Sequence, residues 1–138
     1  MFTVAVQREV IAQHYLIGAD FGLENQLHSH AYRVEFRLSG GDLDGHGFLA
    51  DIDAMAAGLD EVLGAIRDKT LNDLPEFQGL NPSIEHLARI LCRALRLRTP
   101  SAGLHEIGVS IWETPSAKLA SIALPITCPC LLTSRPRT

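Results

Sequence analysis

The sequence predicts an α+β fold: a four-stranded antiparallel sheet with two helices on one face, in the order ββααββ. Three observations lead there. Four segments alternate apolar and polar residues with the two-residue period of a half-buried strand. Two segments between them repeat apolar residues at helical spacing, and the gaps are short enough for antiparallel neighbours.

Residues 2–12 read as the first strand, with Phe2, Val4, Val6 and Val10 on one parity against Thr3, Gln7 and Glu9. The second, residues 32–38, alternates Tyr32, Val34, Phe36 and Leu38 with Arg33, Glu35 and Arg37, and Ser39-Gly40-Gly41 ends it. From Asp51 to about Arg67, the residues Ile52, Met55, Leu59, Val62 and Ile66 form one helical stripe, with Asp51 and Asp53 at the positive end. Asn81-Pro82 reads as the start of a second helix, whose stripe of Ile84, Leu87, Ala88, Leu91 and Leu95 runs to about Leu97. Its Arg89, Arg93 and Arg96 read as a solvated face. Residues 107–113 and 119–124 complete the sheet, separated by a turn containing Pro115 and Ser116.

The 138 residues are 46% hydrophobic and 20% charged, which excludes disorder over the whole chain. One domain over residues 1–125 is expected, followed by a loosely ordered tail, residues 126–138. With 12 basic and 16 acidic side chains, the net charge of −4 lacks the basic footprint of nucleic-acid or anionic-membrane binding. No apolar run approaches the roughly 18 to 20 residues of a membrane span, and the amino terminus lacks a signal-peptide pattern, so a cytoplasmic protein is expected. Three cysteines do not make a disulfide scaffold, and Cys128 and Cys130, one residue apart, lack the usual zinc-pair spacing.

His28 and His30 are separated by one residue, so an extended backbone sends both imidazoles to the same face, where they can reach one ion. They share the parity of Tyr32, Val34 and Phe36, while His14 has that of Val4, Val6 and Val10. Three histidines can therefore converge inside one hairpin, and three neutral imidazoles around an open fourth position describe a catalytic zinc. The alternative is a structural hairpin with fortuitous histidines. His46, His86 and His105 have no such partner and read as surface or structural residues. Glu113 continues the parity of Ile107, Val109 and Ile111, which would point a carboxylate toward the covered face, where an isolated charge is costly; on the residues alone, a strand-end glutamate turned to water is the favoured alternative.

Six segments in register resemble the 6-pyruvoyl-tetrahydropterin synthase and 6-carboxy-tetrahydropterin synthase family: Gln13-His14-Tyr15-Leu16, Glu24-Asn25-Gln26-Leu27-His28-Ser29-His30-Ala31-Tyr32, Gly47-Phe48-Leu49-Ala50-Asp51, Leu71-Asn72-Asp73, Asn81-Pro82-Ser83-Ile84-Glu85-His86-Leu87-Ala88 and Ile111-Trp112-Glu113-Thr114. The resemblance spans about residues 2–124 and implies a tunnelling fold, with protomers joining sheets into trimeric barrels that stack as a hexamer. It implies zinc on His14, His28 and His30, a dihydropterin held by Glu113 with Ser83 beside it, and lyase chemistry on the side chain of 7,8-dihydroneopterin triphosphate or a relative.

The chain departs from that pattern in three places. Where the commonest members carry a cysteine base, four residues before the first histidine of the pair, Glu24 stands here, as in a subgroup releasing 6-hydroxymethyl-dihydropterin. Burial would be needed to raise a glutamate toward neutral pH for general-base work. The Asp-His relay falls on Arg67 and Asp68, or on Asp68 and Lys69 with one deletion, so the histidine is missing. Glu24 and Asp68 are thus the candidate proton-transfer pair, and Arg67 could neutralise a phosphate. The glycine usual between the paired histidines is Ser29. A lyase is expected; the alternative is a homologue that binds zinc and a pterin or purine without turnover. Lys118 reads as an exposed loop lysine, the alternative being a contact with a phosphate.

Overall fold

The computed structural model describes residues 1–114 and 118–126. The turn with Pro115 and Ser116 and the tail with Cys128 and Cys130, apart from Ile126, lie outside the described residues. The sheet has the order β1-β2-β3-β4, each pair antiparallel: β1 (Phe2–His14), β2 (His28–Gly40), β3 (Glu106–Thr114) and β4 (Lys118–Pro125). Helices α1 (Ile52–Gly64) and α2 (Ile84–Leu97) cover one face, α1 against β1 and α2 against β3 and β4. The α+β architecture with ββααββ order stands as the periodicities predict.

The inner face carries the apolar parity of every strand. Val10, Val34, Ile107, Val109 and Ile111 are essentially inaccessible, packed with Leu59 and Leu63 of α1 and Leu87, Leu91 and Leu95 of α2. At roughly 25 cal/mol per Å2, each such side chain contributes about 1.5–3 kcal/mol. The outer face instead carries a polar band across all four strands. Gln7 donates to Glu35 at 2.8 Å, and the Arg37 guanidinium bonds Glu35, Ser110 Oγ and Ser121 Oγ. Arg37 can lie flat because Gly108, its partner in register, has no side chain in its way.

Several boundaries differ from the sequence reading, for identifiable reasons. β1 and β2 run to His14 and back to His28 because the two strands pair to that point. The first helix ends at Gly64 rather than near Arg67. Its last residues tighten into i→i−3 bonds, and Asp68 takes a positive φ of 57° while its N–H donates to the Ile11 carbonyl of β1 at 2.8 Å. Asp51 caps α1 by accepting from Ala54 N. The cap of α2 is Ser83, whose Oγ accepts from His86 N, and not Asn81. Asn81 serves elsewhere, its side-chain oxygen taking the Ile17 N–H at 3.0 Å. Short 3-10 turns at Gly22–Asn25, Leu71–Asp73 and Pro75–Phe77 have no counterpart in the periodicity.

Two glycines test the packing. A Cβ at Gly40 would collide with the Gly103 carbonyl oxygen, whereas one at Gly58 in α1 meets nothing within 4 Å. Gly40→Ala is expected to destabilise by about 1–3 kcal/mol, and Gly58→Ala to stabilise by about 0.5–1 kcal/mol, both read from urea midpoints.

Candidate metal centre and adjoining pocket

The end of the β1–β2 hairpin builds the centre. His14 and His28 are opposite each other in register, and His30 faces Ala12, the smallest residue of the β1 inner face, so three rings fit side by side. Their centroids lie 4.6 to 4.9 Å apart, and one nitrogen of each ring lies within 4.8 Å of the others. The convergence predicted for His14, His28 and His30 is thus present in a single protomer.

The hydrogen bonds fix the tautomers of two rings. His14 Nδ1 lies 2.8 Å from the Pro82 carbonyl oxygen, and His28 Nδ1 lies 2.7 Å from the Gln26 carbonyl oxygen. A carbonyl only accepts, so both Nδ1 atoms carry the proton and donate. Where the rings are neutral each Nε2 is then a bare lone pair, and the two Nε2 atoms face each other at 3.0 Å. At that distance they are placed to share a proton or a metal cation. Zinc–nitrogen bonds of about 2.0–2.1 Å place neighbouring tetrahedral ligands about 3.3 Å apart, close to the spacing seen. The backbone carbonyls behind the rings are the outer support that orients metal-binding imidazoles. The residues present therefore fit a divalent metal.

His30 Nε2 is buried against Glu113, whose Oε1 lies 2.6 Å away. Burial, the largest cause, pushes His14 down from 6.5 and His30 down to about 4, with neighbouring imidazoles adding to the effect. Burial likewise raises the Glu113 carboxyl, against the pull of Lys118. Both members of the His30–Glu113 contact are driven toward neutral forms, and a neutral imidazole is the form that binds metal. Tyr32, with its ring centroid 5.7 Å from that of His30, buries its hydroxyl with no hydrogen-bond partner among the described residues.

An open pocket of about 400 Å3 adjoins the cluster and shares His14 with it. Glu24, Ser83, Glu113 and Lys118 line it, so three residues singled out in the sequence meet beside the histidines. The burial that a general-base glutamate calls for is absent in the protomer, since the Glu24 side chain is 45% exposed. Asp68 lies outside the pocket, exposed where the chain after α1 runs along the β1 edge; Arg67 is exposed beside it. His86 is structural, its Nδ1 donating to the Asn81 carbonyl at 2.7 Å, whereas His46 and His105 are exposed.

The asparagines of the motif segments hold the loop that follows His14. Asn72 brackets Tyr15, accepting from its N–H and donating to its carbonyl, and Asn25 donates to the Leu16 and Ala19 carbonyls. Sequence reading assigned these residues no role. The alternation of polar with apolar residues does not reveal a side chain acting as a strand partner. Lys118 was also missed as a pocket residue; the signal was the parity of residues 119–124, extended one residue back.

Burial of the histidines makes stability depend on pH. Below about 6.5 the unfolded chain binds protons that folded His14 and His30 refuse, so metal-free protein loses stability as pH falls from 6.5 toward 4. Glu113, raised by burial, opposes this by keeping a proton that the unfolded chain has released. Urea denaturation of metal-free protein is expected to give a lower midpoint at pH 5.5 than at pH 7.5, and His30→Gln to shrink the difference. A midpoint that rises on acidification contradicts the assignment.

No protein in a curated set matches the chain. Solved structures do. The Caenorhabditis elegans 6-pyruvoyl tetrahydropterin synthase superposes with a TM-score of 0.72 at 23% identity, covering 88% of this chain and 96% of that one. The Plasmodium falciparum 6-pyruvoyl tetrahydropterin synthase gives 0.70 at 16% identity, over 90% and 99% of the two chains. A Plasmodium vivax 6-pyruvoyltetrahydropterin synthase, solved as a variant in which a catalytic glutamate is replaced by alanine, gives 0.70 at 15% identity, over 91% and 100%. These likenesses show the fold. The model of the 6-pyruvoyl tetrahydropterin synthase family matches residues 3–121, and with the tunnelling fold and the three-histidine hairpin in place, the chain belongs to that family.

Proposed function

We propose that this protein is a zinc-dependent lyase acting on the side chain of 7,8-dihydroneopterin triphosphate or a related dihydropterin. The observation that carries the reading is the convergence of three imidazoles, with the Nε2 atoms of His14 and His28 facing each other at 3.0 Å, beside a buried glutamate at the edge of a pocket. His14, His28 and His30 would hold the metal. Zinc bound there supplies a Lewis acid that polarises hydroxyl oxygens of the substrate side chain and makes their protons easier to remove.

The remaining roles belong to the chain itself. Glu113, 8% exposed on its side chain, sits where a pterin ring could present two adjacent N–H donors, which a carboxylate accepts as a bidentate pair. Those donors favour the ionised form that burial alone disfavours. Ser83 caps α2 through its oxygen and keeps a hydroxyl proton to offer at the same wall. Glu24 enters from the opposite loop and is the carboxylate placed to take a proton from the substrate side chain. The catalytic glutamate of the Plasmodium vivax enzyme supports that assignment.

Asp68 fits only if a second copy supplies it. The free edges of the sheet, β1 and β4, favour ring closure of protomers. The chain at residues 68–70 already blocks β1 opposite Ile11 and Gln13, confining an incoming strand to the rest of that edge. A homohexamer of two trimers is the assembly proposed. Among the described residues no helix is long and apolar enough to cross a membrane.

The exposure of Glu24 and the lack of a relay imidazole at residues 67–69 favour one competing reading, a homologue that binds zinc and a pterin without turnover. Incubating zinc-loaded protein with 7,8-dihydroneopterin triphosphate and 7,8-dihydroneopterin, with products identified by mass spectrometry, separates the two. The lyase reading expects a 6-hydroxymethyl, 6-carboxy or 6-pyruvoyl product, one zinc per chain, and loss of both on His28→Ala. Zinc at one per chain with no product supports the binder. Glu24→Gln should lower kcat by about 100-fold or more. Glu113→Gln should lower kcat/KM about 10- to 100-fold with zinc content unchanged.

A further inference from the structure

We propose that Lys118 is a positioning residue for Glu24, its ammonium tying the carboxylate across the pocket mouth and aiming it at the histidine cluster. The inference rests on the lyase reading for its catalytic meaning, but its structural content stands apart from turnover. Lys118 is the first residue of β4 and lies opposite Glu113 in the β3–β4 register, so the sheet rather than a free loop sets its place. Its Nζ lies 3.7 Å from Glu24 Oε1. Three carboxylates line the pocket, Glu24, Glu85 and Glu113, and Lys118 is the one lysine or arginine among its lining residues.

Glu24 needs such a tether. Its backbone is held in the 3-10 turn Gly22–Asn25, and its carbonyl accepts the Leu16 N–H at 2.8 Å. Its side chain is free to rotate about three torsions in a half-open pocket, and among the described residues Lys118 is the partner that restricts it. The pair is exposed on both sides, 57% for Lys118 and 45% for Glu24, so it contributes little to folding. Its consequence is local. A base displaced by about 1 Å from its proton loses up to about two orders of magnitude in rate, so a weak tether can matter to catalysis while leaving stability untouched. A contact between Lys118 and an anionic substrate group is the competing role, and it predicts a different kinetic signature.

The test compares zinc-loaded wild type, Lys118→Met, Lys118→Arg, Glu24→Gln and the double variant, with zinc content as the control for folding. With 7,8-dihydroneopterin triphosphate, Lys118→Met is expected to lower kcat about 10-fold with KM changed less than about twofold. Lys118→Arg should restore most of the rate, and Lys118→Met should cost nothing further once Glu24 is glutamine. A KM increase with kcat unchanged, an unchanged rate, or a full additional loss in the double variant overturns the proposal. Nuclear magnetic relaxation of the Glu24 side chain supplies a readout that needs no turnover: Lys118→Met should raise its mobility over wild type and Lys118→Arg should not. Unchanged side-chain mobility overturns the tether even if the wild type is active. An inactive wild type with a more mobile Glu24 side chain in Lys118→Met sinks the lyase reading and keeps the tether.

Discussion

Two backbone carbonyls, those of Pro82 and Gln26, set the chemistry of this protein. By accepting from His14 Nδ1 and His28 Nδ1 they assign both protons to the far side of the rings and leave the two Nε2 atoms facing each other at 3.0 Å. With a divalent cation between them those atoms would be a ligand set already oriented. The carbonyl of Pro82 is available because the helical ladder of α2 begins at the Ser83 carbonyl, which takes the Leu87 N–H, and so leaves the carbonyl before it outside the ladder. The start of α2 and the His14 ring are thus joined by one hydrogen bond, and a shift of α2 along the sheet would disturb the histidine cluster.

The sheet and helices exist in this account to hold that relation. An inner face of Val, Ile, Leu and Tyr against two helical stripes fixes where α2 begins, while the Arg37 band knits the outer face with hydrogen bonds. The same burial that makes the core also lowers His30 to about 4 and raises Glu113. Packing therefore supplies the neutral imidazoles that a metal requires and the carboxyl for which a ligand with paired donors is the natural complement.

Much of this was legible before any coordinates. The period of two placed His28 and His30 on the face of Tyr32, and the parity of β1 added His14, because strand geometry projects directly from sequence. The same rule allowed Glu113 to face inward, and the family resemblance decided against a strand-end carboxylate turned to water. What could not be read were features set by contacts distant in sequence: that Ser83 rather than Asn81 caps α2, because Asn81 is engaged by Ile17; that Asp68 closes α1 in a left-handed turn against Ile11; that Asn72 brackets Tyr15. Lys118 is exposed, as read, but it opens β4 instead of lying in a loop, and only the β3–β4 register places it opposite Glu113. The exposure of Glu24 is likewise invisible to spacing, which locates a residue along the chain without its depth.

The central claim is that His14, His28 and His30 together form one metal centre, and X-ray absorption at the zinc edge of the zinc-loaded protein tests it most directly. Three imidazole nitrogens at about 2.0–2.1 Å with one further light ligand is the predicted shell. Sulfur scattering at about 2.3 Å, which would move the metal to cysteine, or a shell with fewer than three imidazoles, would contradict it.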